Sequence, residues 1–118
     1  MMNNKIGILK GEDMKIINLP RGRGKTIRLL YASEFNYIPI LCSTFKQKDL
    51  LAKRAYELGL KIPEPIVVSD IVNGTIKGSF IEDKDVLVDE APAVLQSFLY
   101  NLGMKGSVKA ISLTENDV

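Results

Sequence analysis

The sequence predicts an α/β protein in three layers, with helices on both faces of a mainly parallel sheet of about five strands. Continuous apolar runs of strand length alternate along the chain with amphipathic segments of helical period. Strands that are buried on both faces are apolar throughout, and this alternation is typical of parallel strands joined by crossover helices. The 118 residues, 46% of them hydrophobic, are enough for one core that needs neither a disulfide nor a structural metal.

Apolar runs bounded by turn residues mark the expected strands. They are residues 14–19, 37–42, 65–68, 85–90 and 108–113. Pro39 has no amide hydrogen, so it should lie near the start of its strand or at a sheet edge. Residues 1–13 are mostly polar and are expected to form a loosely attached arm, which leaves residues 14–118 as a single domain.

Apolar side chains at helical spacing mark the expected helices. They are residues 26–35, 47–60 and 92–102. Gly59 and Gly103 stand where the second and third of these should end, because glycine is favoured just after a helix. Residues 70–84 are polar and contain Asn73-Gly74 and Gly78, which predicts turns, a hairpin or a mobile loop.

Composition excludes several classes of function. The chain has no histidine and one cysteine, Cys42, which rules out Ser/His and Cys/His catalysis and histidine-ligated metals. A net charge of +2 is too small to indicate nucleic-acid binding by itself. No apolar run approaches the roughly eighteen residues that span a bilayer, and the N-terminus lacks the features of a signal peptide. We therefore expect a cytoplasmic protein with a reduced thiol and no membrane partner.

A basic, glycine-rich stretch joins the first predicted strand to the first predicted helix. Its residues are Arg21, Gly22, Arg23, Gly24, Lys25 and Thr26. The amides of such a loop and the helix N-terminus can bind phosphate, while a lysine reaches the terminal phosphates and a hydroxyl binds Mg²⁺. Of the pattern G-x-x-x-x-G-K-[ST], Gly24, Lys25 and Thr26 match, whereas Leu19 occupies the first glycine position.

Two acids follow the apolar run at residues 86–88. Asp89 and Glu90 should emerge at the carboxyl edge of the sheet, where the glycine-rich loop also emerges. There Asp89 can hold Mg²⁺ and Glu90 can orient or deprotonate an attacking water. The same acids could equally be the solvated end of a strand or favourable charge at a helix N-terminus.

With these two motifs, the chain resembles the P-loop NTPases. Within them it resembles the group with a glutamate beside the strand aspartate, which includes RecA-like ATPases, superfamily 1 and 2 helicases and phage terminase motors. The resemblance covers about residues 15–114. Residues 40–44 look like the strand after the first helix, and residues 110–114 look like the strand whose polar end senses the γ-phosphate.

The resemblance implies ATP and Mg²⁺ as ligands. Lys25 and Glu90 would be catalytic, and Thr26 and Asp89 would hold the metal. The nucleotide would be bound by residues 21–26, that is by Arg21, Gly22, Arg23, Gly24, Lys25 and Thr26. Small proteins of this appearance are familiar from phage genomes, so a component of a phage DNA-processing assembly is one expectation.

Other functions stay open at the level of sequence. The missing glycine at Leu19 and the short chain favour a P-loop fold that acts as an interaction module and has no catalytic role. A nucleoside kinase is a third candidate, although only residues 70–84 could supply its lid. Because one core leaves the γ-phosphate open to water, we expect slow hydrolysis at best by the isolated chain. A second copy of the chain (a homo-oligomer) or a larger protein partner is expected to complete the site. Nucleic acid is a further possible partner.

Overall fold

The structure, a computed structural model, describes residues 24–74 and 85–112. These residues form a mixed α/β fold with a small parallel sheet of three strands in the order β2–β1–β3. The elements in chain order are α1 (Lys25–Asn36), β1 (Ile40–Cys42), α2 (Phe45–Glu57), β2 (Ile66–Val67), α3 (Val68–Val72), β3 (Leu87–Val88) and α4 (Ala91–Asn101). The α/β class and the parallel strands agree with the sequence prediction.

Buried side chains lie on both faces of the sheet. Successive residues of a strand point to opposite faces, and the two core clusters divide β1 in this way. Ile40 and Cys42 pack with side chains of α1, α2 and β2, whereas Leu41 packs with Ile66, Val68 and Val94 on the other face. This division explains why β1 and β2 are continuously apolar in sequence, whereas β3 is less buried, with Val88 exposed.

The three longer helices, α1, α2 and α4, lie close to their predicted ranges, because their boundaries follow from local chemistry. Thr44 caps α2 by accepting a hydrogen bond from the backbone N–H of Gln47 at 3.1 Å, so the helix begins two residues before the predicted start. Gly59 and Gly103 adopt positive φ angles of 73° and 100° after α2 and α4, as glycines that end helices do. Pro39 immediately precedes β1, which confirms its predicted place at the strand start.

The strand predicted over residues 108–113 is wrong for its described part. Residues 108–112 have neither helix nor strand. At the start of this segment the Val108 N–H donates to Gln96 Oε1 of α4 at 2.6 Å, and just before it the Gly106 carbonyl accepts from Gln96 Nε2 at 3.1 Å. An apolar run of strand length was therefore not sufficient to predict pairing.

Residues 70–72, predicted as part of a turn or loop, instead belong to the short helix α3, and the positive φ of 76° at Gly74 follows it. The first predicted strand, residues 14–19, and most of the predicted loop, residues 75–84, lie outside the described residues, as do residues 1–13. Three of the five predicted strands are therefore present in the described residues, the one at residues 108–113 is wrong for its described part, and the one at residues 14–19 stays a prediction. In the part of the chain that the structure describes, no helix is long and apolar enough to cross a membrane.

Candidate functional site

The carboxyl edge of the sheet brings the two predicted motifs together. Thr26 lies in the first turn of α1 and Asp89 directly follows β3. The Thr26 hydroxyl donates a hydrogen bond to Asp89 Oδ1 at 3.4 Å, although the two residues are 63 positions apart in the chain. Asp89 is 2% exposed. The predicted metal-binding pair, Thr26 and Asp89, is thus a contact in the structure.

The two residues predicted to be catalytic also lie side by side. Lys25 Nζ is 3.8 Å from Glu90 Oε2. Both side chains keep substantial solvent exposure, 33% for Lys25 and 55% for Glu90. Exposed pairs of this kind contribute little to stability, so Lys25 can exchange the carboxylate for another anion at small cost.

The N-terminus of α1 opens onto this cluster. Its N-cap residue, Gly24, has a φ of 85°, and neither a side-chain cap nor an acidic residue in the first turn covers the helix end. The first backbone N–H groups of a helix have no partner within the helix, and they carry its partial positive charge. This end of α1 therefore has donors for an anion beside Lys25. Arg21, Gly22 and Arg23 lie outside the described residues.

Glu90 has an unusual backbone conformation. It is the N-cap of α4 with φ 57° and ψ 66°, in the left-handed region that residues other than glycine rarely adopt. Such a conformation costs about 1 kcal/mol or more, and strained residues are concentrated at functional sites. The turn places the carboxylates of Asp89 and Glu90 differently: the first is buried in the protein and the second projects toward solvent.

Gln47 is a member of the site that the sequence analysis missed. Its side-chain Nε2 donates a hydrogen bond to Asp89 Oδ2 at 2.9 Å, while its backbone N–H is held by Thr44. A signal was present in the sequence, since the helix after β1 begins at the same sheet edge as Asp89. The T-x-x-Q spacing, however, is that of a capping box, which assigns Gln47 a local role.

Burial dominates the electrostatics of Asp89. Desolvation raises the pKa of its carboxyl group, and the neighbouring charge of Glu90 adds to the rise. The hydrogen bonds from Gln47 and Thr26, together with the charge of Lys25, act in the opposite direction and lower that pKa. Asp89 is therefore a buried acid whose ionised form depends on neighbouring donors, and a cation at the same place would stabilise it further.

The donor set fits Mg²⁺ better than a transition metal. Among residues 24–74 and 85–112, no three His, Cys, Asp or Glu side chains come together as a metal cage. Mg²⁺ is typically held by one or two protein oxygens together with waters and substrate phosphates. Thr26 and Asp89 are oxygen donors of that kind, next to a helix end that can accept phosphate. The residues present therefore suit a metal that arrives with a nucleotide.

Residues 110–112, the described part of the segment that resembles a γ-phosphate sensor, are exposed and outside any strand. The sensor assignment thus lacks the strand on which it depends.

The buried Cys42 lies at the end of β1, and its thiol contacts the carbonyl of Ile66 at 3.5 Å. Burial raises the pKa of Cys42 to about 11, so this thiol is not an activated nucleophile.

The fold and the site together define an α/β protein with a polar, partly buried site at the carboxyl edge of a parallel sheet. Comparison of the chain with protein-family models, with curated proteins and with solved structures found no match. The features that indicate a function are the contacts among Lys25, Thr26, Gln47, Asp89 and Glu90.

Proposed function

We propose that the protein binds ATP or a related nucleotide together with Mg²⁺ and hydrolyses it slowly. The observation that carries the proposal is the hydrogen bond between Thr26 and Asp89. It joins the hydroxyl of a G-K-T sequence at a helix start to the acid at a strand end, as a shared metal site requires. The Lys25 and Glu90 contact beside it adds the other two chemical groups that such a site needs.

Each side chain has a distinct role in the proposed site. Lys25 exchanges Glu90 for the β- and γ-phosphates and neutralises their charge, while the N–H groups at the start of α1 bind phosphate oxygens. Thr26 and Asp89 hold Mg²⁺, whose charge would offset the negative charge that develops on the phosphates. Glu90, released from Lys25 and open to solvent, positions the attacking water. Arg21, Gly22 and Arg23 lie outside the described residues, and their assignment to the nucleotide follows from the sequence motif alone.

The binding step can be tested by isothermal titration of ATP in the presence of Mg²⁺ and in the presence of EDTA. We expect tighter binding with Mg²⁺ and loss of that advantage in Asp89→Ala, since the buried carboxylate is a proposed metal ligand. Glu57→Gln is a matched control for loss of an acid, because Glu57 lies on α2 and pairs with Arg54. The absence of ATP binding by the unaltered protein would refute the proposal.

The hydrolytic step is tested separately by phosphate release. Glu90→Gln should keep Mg²⁺-dependent ATP binding and abolish turnover, because glutamine retains the shape of the side chain and loses the base. A Glu90→Gln variant that hydrolyses ATP at the parent rate would remove Glu90 from the mechanism.

Light scattering and ATPase rates over a protein concentration series test whether a second copy of the chain completes the site. If it does, the ATPase activity per molecule should rise as the protein associates.

The second candidate is a P-loop-like interaction module without catalysis. Large apolar side chains at and after the end of α4 favour it, since Tyr100, Leu102 and Met104 are 72%, 67% and 54% exposed. These three residues lie within five positions of one another in sequence, and apolar groups exposed in one patch are typical of surfaces that bind partners. ATP binding without phosphate release, at any protein concentration, would favour this module over the enzyme.

A further inference from the structure

Asp89 has two carboxylate oxygens, and each has a different partner. Oδ1 accepts from the Thr26 hydroxyl at 3.4 Å, and Oδ2 accepts from Gln47 Nε2 at 2.9 Å. The torsion that rotates a carboxylate has a broad energy profile. With only the 3.4 Å bond from Thr26, the Asp89 carboxylate would be free to rotate about this torsion. The shorter bond to Gln47 prevents this rotation and keeps Oδ1 beside the Thr26 oxygen.

Gln47 is itself well anchored. It is the third residue of α2, and its backbone N–H donates to Thr44, the N-cap of that helix. In a capping box the glutamine side chain would serve only its own helix end. The side-chain nitrogen of Gln47 instead reaches a carboxylate 42 positions further along the chain, and so links the start of α2 to the end of β3.

We propose that Gln47 is a positioning residue of the Mg²⁺ site: by holding Asp89 Oδ2 it presents Oδ1, next to the Thr26 hydroxyl oxygen, to the metal. This inference rests on the proposed function, because it assigns Thr26 and Asp89 as the metal-binding pair. Partners that orient a metal ligand from behind typically change metal affinity by about 10- to 100-fold when they are removed. Gln47 touches neither nucleotide nor metal in this scheme, so binding of metal-free nucleotide should not depend on it.

The experiment measures the dissociation constant of ADP by isothermal titration, once with Mg²⁺ and once with EDTA. The dissociation constant in EDTA divided by that in Mg²⁺ gives the factor by which the metal tightens binding. Gln47→Met keeps the length of the side chain and removes the donor, and should lower this ratio about tenfold or more. The constant measured in EDTA should stay the same. Gln96→Met is the matched control, since Gln96 bonds to Gly106 and Val108 and should leave the ratio unchanged.

Circular dichroism and thermal unfolding separate this role from simple stabilisation of the fold. Gln47→Asn, which is polar but one methylene too short for the 2.9 Å bond, replaces Gln47→Met if that variant does not fold. A folded variant that retains the parent ratio overturns the inference and leaves the proposed function standing. Equal losses of affinity with and without Mg²⁺ also overturn it, because they indicate a structural role. A parent protein whose ADP binding is insensitive to Mg²⁺ overturns both proposals.

Discussion

Replacement of Lys25 by alanine is expected to weaken binding of Mg-ATP about thirtyfold and to leave the fold intact. In the described chain Lys25 is the first residue of α1, and its Nζ is 3.8 Å from Glu90. The alanine variant loses charge-assisted hydrogen bonds to phosphate, which contribute about 1.5–3 kcal/mol. The parent, however, must first give up the exposed ion pair, worth about 0–1 kcal/mol.

The difference between these two terms leaves a loss of about 2 kcal/mol, which corresponds to about thirtyfold in Kd, since about 1.4 kcal/mol is tenfold. Isothermal titration of the parent and of Lys25→Ala measures the difference. Lys53→Ala, which removes an exposed lysine from α2, controls for loss of positive charge in general. Because the ion pair is exposed, the melting temperature should fall by only a few degrees.

Equal affinities of the parent and Lys25→Ala would refute the assignment of Lys25 to the phosphate site. An equal loss in Lys53→Ala would show that net charge, and not a defined contact, attracts the nucleotide. A large loss of thermal stability in Lys25→Ala would contradict the low energetic value given to its pair with Glu90.

Four further outcomes follow from burial and backbone geometry. Asp89→Asn should raise the free energy of unfolding at pH 7. Burial raises the pKa of Asp89 above its ordinary 3.8, so folding favours the protonated acid. The free energy of unfolding of the parent therefore falls as pH rises through the folded-state pKa. Urea titrations should show this gain vanishing below pH 3.8, with Mg²⁺-dependent binding lost throughout. Leu51→Ala should cost about 2–5 kcal/mol in such titrations, because Leu51 is 1% exposed, whereas Leu50→Ala, at a 53% exposed position, should cost far less. Tyr37→Gly should raise stability by about 1 kcal/mol, measured by thermal unfolding, because Tyr37 ends α1 with a φ of 54° and is 70% exposed. Cys42 should resist iodoacetamide at pH 8 until the protein unfolds, because burial shields its thiol and raises its pKa to about 11; mass spectrometry of the native and urea-unfolded protein checks this.

Much of the described fold could be predicted from local sequence. The helix at residues 91–101 was expected at residues 92–102, because its apolar spacing and the following Gly103 depend only on neighbouring residues. The strands at residues 40–42 and 87–88 lie within their predicted ranges for a similar reason. Proximity of Thr26 and Asp89 also followed from a general rule, since loops at the carboxyl edge of a parallel sheet converge.

Other features depended on contacts that no local pattern encodes. Residues 108–112 have a strand-like composition, but the backbone N–H of Val108 bonds to the side chain of Gln96 and not to a strand. The sequence alone therefore determined the types and approximate boundaries of α1, α2, α4 and the three strands, together with the two candidate motifs. Only the tertiary structure decided that Gln47, a capping-box residue by its local pattern, bonds to a carboxylate 42 positions away. The physical reason is that helix and strand signals are short-range, whereas the partner of a buried polar group is chosen by how distant elements pack.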